Sequence, residues 1–167
     1  MSKAQEKLLD KLQRLETKLT AKDNVVMFED PFSKQKLQQH TQQVDTKPSG
    51  LWYACGFEWI SWVLGEMPGW ARNHVYALTV DKRSMVRLRS VEAIDAFDDE
   101  FYVLKYNTHY IDWKLVAKEF TGIEICPYQY DRRFDGPASS WYYGWDVASG
   151  CIWDPDIITA VDEISLE

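Results

Sequence analysis

No stretch of this chain is apolar for long enough to cross a bilayer, which takes roughly 20 residues. The N-terminus alternates charge where a signal peptide would carry an apolar block. The chain therefore reads as soluble and unexported, with no membrane partner. Cysteine is scarce as well. Cys55, Cys126 and Cys151 are odd in number, widely separated and never in a Cys-x-x-Cys pair, so their spacing suggests neither a disulfide framework nor a zinc site. No metal is expected, and a reducing cytoplasm fits. Cys151 lies among apolar residues and reads as a small buried hydrophobe.

Positive charge is also lacking over most of the chain. The net charge is -7, and it is carried by the part after residue 50. Such an acidic body disfavours a nucleic-acid binder that works by neutralising phosphates. The local group Lys82, Arg83, Arg87 and Arg89 reads as the solvated face of a strand pair.

Aromatic residues, by contrast, are abundant, with 8 Trp and 9 Tyr. Both types join apolar area to a polar tip, which suits cores, interfaces and stacking on flat rings alike. The most suggestive aromatic stretch is Lys47-Pro-Ser-Gly-Leu-Trp-Tyr-Ala-Cys-Gly56, a short apolar run opened by Pro48 and Gly50 and closed by Gly56. It reads as a buried strand bounded by turns. Trp52 and Tyr53 are adjacent, so on a strand they face opposite ways and one of them is available to a ligand. Packing of both in a core is the alternative.

Around that stretch the chain reads as an α+β domain of about six strands with short helices. Residues 2 to about 22 carry Leu8, Leu12, Leu15 and Leu19 four, three and four apart among Lys, Glu and Gln, a leucine stripe of coiled-coil type. This N-terminal helix, residues 1–22, either joins a second copy in a homodimer or folds back on the main domain, residues 24–167. Strands are predicted at Asn24–Phe28, His74–Val80, Met85–Leu88, Phe101–Tyr106, Gly122–Cys126, Trp141–Trp145 and Gly150–Trp153, the second and third joined by a turn. Helices are predicted over Phe57–Glu66, from Ser90 as N-cap to about Asp98, and from Asp112 as N-cap through Trp113–Phe120. Tyr128 to Ser140 is a long loop holding Arg132 and Arg133, and long loops often carry function.

In that order the segments resemble the ADP-ribosyltransferase fold of the poly- and mono-ADP-ribosyltransferases and related toxins. Gly50-Leu51-Trp52-Tyr53-Ala54 is similar to the family strand that lines the nicotinamide pocket. Val75-Tyr76-Ala77-Leu78-Thr79-Val80-Asp81 is similar to a later strand, and Ala148-Ser149-Gly150-Cys151-Ile152-Trp153-Asp154 runs parallel to the closing one. The resemblance covers residues 24 to 162 and implies a split mixed or antiparallel sheet, NAD as substrate and a protein acceptor. The whole pattern is also similar to a group of uncharacterised proteins of phages and other large DNA viruses, which implies a host cytoplasm and a host protein partner.

None of the three members of the family's triad is matched. Trp52 stands where a Tyr stacks on nicotinamide, Phe28-Glu29 offers no His, and Ser149 stands at the Glu. On the resemblance, the nucleotide-binding candidates are Lys47, Gly50, Trp52, Tyr53 and Arg132. The catalytic candidates are Ser149 with Asp146 or Glu58 as a substitute carboxylate. Two functions follow: an NAD-binding mono-ADP-ribosyltransferase-like protein with a non-standard triad, or a catalytically inactive relative that acts by binding a host protein.

Overall fold

A computed structural model describes residues 2–166. Its helices are α1 Lys3–Glu16, α2 Glu58–Glu66, α3 Val91–Phe101, α4 Trp113–Glu119 and α5 Ser139–Tyr142. Its strands are β1 Asn24–Phe28, β2 Val44–Asp45, β3 Leu51–Cys55, β4 His74–Val80, β5 Val86–Leu88, β6 Tyr102–Lys105, β7 Thr108–Asp112, β8 Gly122–Ile125, β9 Ser149–Ile152 and β10 Ile158–Glu163. Hydrogen bonding orders them β10-β4-β1-β3-β9-β8-β5 in a seven-stranded mixed sheet and β2-β7-β6 in a smaller antiparallel one. The fold is α+β, with more strands than the six expected; β2 is too short and β7 too polar to announce themselves in the sequence. No described helix is long and apolar enough to cross a membrane.

The chain divides into two compact units. The first comprises Met1–Leu37, Tyr53–Asp81 and Ile158–Glu167. In it β1 runs antiparallel to both β3 and β4, with Val25 opposite Ala54 and Ala77, and β10 runs antiparallel to β4. α1 starts at Ser2, whose hydroxyl accepts from the Gln5 amide at 3.1 Å, the N-cap geometry that satisfies an otherwise orphaned donor. Its leucines pack on their own unit. Leu12 and Leu15 are buried with Val25, Ile60, Val63 and Val75, and Leu8, Leu9 and Leu19 pack on the same cluster. The stripe thus covers the core of its own unit, and the helix ends at Glu16, short of the predicted residue 22.

The second unit comprises Gln38–Trp52 and Lys82–Ile157. β8 lies between β5, which is parallel to it, and antiparallel β9. The predicted pair of β4 with β5 is not formed, since β4 bonds to β1 and β10 and β5 bonds to β8. Both predicted N-caps are present. The Ser90 hydroxyl accepts from Ala93 at 3.1 Å, and Asp112 Oδ1 accepts from Lys114 and Leu115 at 3.1 and 3.3 Å.

Much of the tryptophan is core here. Trp113, Trp141, Trp145 and Trp153 are at most 3% exposed, and Trp113 meets Trp141 edge to face at 6.1 Å. The predicted strand Trp141–Trp145 is instead α5 and the turn after it. Burying Trp141, Tyr142 and Trp145 follows a helical spacing, and a strand would bury Tyr143, which is 57% exposed. Cys151 is a free, buried thiol whose pKa burial pushes up. Cys55 and Cys126 are disulfide-bonded, which corrects the expectation from their spacing.

Leu12→Ala is expected to cost about 2–5 kcal/mol through the cavity it leaves, read by urea denaturation. The sedimentation coefficient should stay unchanged; dissociation of a dimer in the variant would mean that the stripe joins two copies.

Candidate functional site

The sequence-predicted residues separate sharply once their surroundings are known. Tyr53, in the first unit, is 2% exposed and cannot present its ring to a ligand. Trp52, in the second, is half-buried and is the less enclosed member of the pair, although burial along β3 does not alternate, since Tyr53, Ala54 and Cys55 are all buried. Its indole meets Trp145 edge to face at 4.9 Å, and the Lys47 ammonium stands over the ring, 5.4 Å from its centroid. The lysine stem passes Gly144 so closely that a Cβ there would lie 2.8 Å from Lys47 Cε. Gly50 is a close-approach glycine, since an added Cβ would meet the Ile152 carbonyl oxygen at 2.5 Å. Its role is to let β3 approach the closing strand.

Of the catalytic candidates, Ser149 opens β9 and is 8% exposed; its hydroxyl donates to the Val147 carbonyl at 2.9 Å. Asp146 is half-buried and accepts from Arg133 Nη2 at 3.5 Å. Glu58 begins α2 in the first unit, and burial raises its carboxyl above the ordinary range. Arg132 is held by both its Nε and Nη2, which donate to the two Asp95 oxygens at 2.8 and 2.9 Å. This bidentate pair draws the Asp95 pKa down, chiefly by hydrogen bonding, and leaves that edge of the Arg132 fork filled.

The neighbouring Arg133 has a different environment. Its guanidinium lies 5.5 Å from the ring centroid of Phe134 and 5.7 Å from that of Tyr143. Its Nη2 makes a long contact to Asp146, and among the described residues its buried Nε has no hydrogen-bond partner. Tyr130, Phe134 and Tyr143 are 66, 60 and 57% exposed and touch in sequence, with centroids 6.3 and 5.7 Å apart. Beneath them Tyr128 stacks on Tyr142 at 5.2 Å and donates its hydroxyl to the Trp145 carbonyl at 2.6 Å. Burial raises the pKa of both tyrosines, so they act as neutral anchors. The loop predicted from Tyr128 to Ser140 therefore carries an aromatic surface on a fixed base.

Two buried carboxylates escaped the sequence reading. Asp98 on α3 pairs with His109 of β7 at 2.7 Å and accepts from Trp141 Nε1 at 2.9 Å. Glu124 on β8 is 4% exposed and pairs with Lys82 at 2.6 Å and Arg87 at 3.5 Å. Lys82 and Arg87 are thus partners of a buried charge, beyond the solvated face expected of them. Only the matched alternation of Val86-Arg87-Leu88 and Ile123-Glu124-Ile125, which become parallel neighbours, offered a signal. Nothing local announces Asp98. Around Trp52 the arrangement offers the Lys47 ammonium and the Trp145 ring.

Asp98→Ala is expected to lower stability by about 1–3 kcal/mol, because Trp141 Nε1 is left buried without an acceptor; thermal unfolding measures it. For Glu58, a raised pKa in the folded state means that folded protein binds more protons, so its presence erodes stability as pH rises from the ordinary 4.5 upward. Glu58→Gln should flatten that decline in urea melts taken across the range.

Comparison of the chain with models of protein families, with curated proteins and with solved structures returned no match in any of the three.

Proposed function

We propose that the chain is a catalytically inactive protein of the ADP-ribosyltransferase-like kind that acts by binding a host protein. The observation that supports this reading is Ser149. It stands where the family resemblance calls for a Glu, it is buried, and its hydroxyl is engaged with the Val147 carbonyl. A neutral hydroxyl does not balance the positive charge that develops at the ribose carbon when the nicotinamide bond breaks. Asp146, the nearest substitute in the chain, shares its charge with Arg133. The exposed rings and Arg133 match the residue types that dominate protein-binding surfaces.

The second reading, an NAD-binding mono-ADP-ribosyltransferase-like protein, draws on Trp52, whose half-buried indole retains a surface for a flat ring. Against it, the Lys47 ammonium over that ring repels a cationic nicotinamide. The two readings part in one assay. Incubated with NAD and host-cell extract, the protein is expected to release no nicotinamide above background, and Trp52→Ala should behave identically. Release that Trp52→Ala abolishes would establish the transferase and remove the inactive reading.

A further inference from the structure

We infer that Tyr130, Phe134 and Tyr143 form the docking surface for an extended, proline-containing basic segment of the partner protein. The inference rests on the reading that the chain works by binding a protein, and it names the chemistry of what is bound. Each of the three rings is more than half exposed. A contiguous aromatic surface of this kind is uncommon on a monomer unless it meets something.

The ring geometry selects among ligands. Tyr130 and Phe134 are inclined at 77°, and Phe134 and Tyr143 at 65°. Successive rings therefore meet edge to face and form no common flat shelf. A nucleobase gains by overlapping its face with an aromatic face. Rings set edge to face instead accept a thick, puckered group such as the proline pyrrolidine. Proline-containing segments are also extended before they bind, so little chain entropy is lost on docking. The receptor side is equally prepared. The Arg133 guanidinium stacks against Phe134 and Tyr143, and Tyr143 is flanked in the chain by the buried Trp141, Tyr142 and Trp145.

Charge sets the sign of the ligand. Asp95, Asp131 and Asp135 surround Arg132, and Asp146 faces Arg133. Four carboxylates thus accompany two guanidiniums, and one of those guanidiniums is closed by its bidentate pair with Asp95. The remaining charge is acidic. It attracts arginine or lysine in the segment and repels acidic or phosphorylated ones.

The test uses the full chain and fluorescein-labelled peptides read by anisotropy. The reference probe has proline at every third position and arginine at both ends. In one control alanine replaces proline, in a second glutamate replaces arginine, and a third probe is a labelled single-stranded oligonucleotide. Saturable binding of the reference probe is expected, weakened by about tenfold or more in each control. Phe134→Ala and Tyr143→Ala should weaken it by a similar factor while thermal unfolding stays unchanged. Tyr106→Ala, at a ring 90% exposed on the β6–β7 turn, should have no effect. Equal binding of the alanine peptide, preference for the acidic peptide or oligonucleotide, indifference to both ring variants, or no binding of any probe would each overturn the inference. Nicotinamide release in the NAD assay is independent of these probes, so failure here without such release removes the docking surface alone.

Discussion

The indole of Trp141 is the point on which the second unit turns. It is fully buried, meets Phe97 at 5.6 Å and Trp113 at 6.1 Å edge to face, and donates its one polar hydrogen to Asp98. A buried carboxylate is costly unless it is bonded, and Asp98 is bonded by both Trp141 and His109. The same contact thus satisfies a donor and an acceptor and joins α3, β7 and α5. Because α5 is only one turn long, its position comes from this packing rather than from its own helical propensity.

That anchoring has a consequence at the surface. With Trp141, Tyr142 and Trp145 directed inward, the intervening Tyr143 is directed outward, toward Phe134 and Arg133. Trp145 in turn supports Trp52 from the side, so the indole that the sequence singled out and the aromatic surface of the loop rest on one core. Polar groups in the same region are engaged in holding structure. Tyr128 and Tyr142 bond to backbone, Ser149 bonds to a carbonyl two residues away, and Arg132 closes on Asp95. What remains presented to solvent is aromatic area with acidic charge beside it.

Several features were legible because they depend on few neighbours. Ser90 and Asp112 were readable as caps, since a short acceptor before a helical pattern meets amides only two or three residues on. Asn24–Phe28 was readable as a strand with its bounds unchanged. The strand carrying Trp52 and Tyr53 was readable too, although which ring would be sealed was not. The run Trp141–Trp145 was misread because aromatic residues suit strands and buried helical turns alike, and only the burial of Trp145 alongside Trp141 and Tyr142 chooses between them. The pair β4 and β5 was misread because a short connection suggests a hairpin, while strand order is decided by which edges are free.

The sequence by itself determined the α+β class and the amphipathic character of the first helix with its leucine stripe, both consequences of side-chain period within a few residues. Only the tertiary structure decided that the leucine stripe covers its own unit, and that Arg132 is closed while Arg133 is flanked by rings. The partner that closes Arg132 lies 37 residues away, and Asp98 meets Trp141 across 43. Interactions over such separations are set by how the elements pack, which no local pattern of residues encodes.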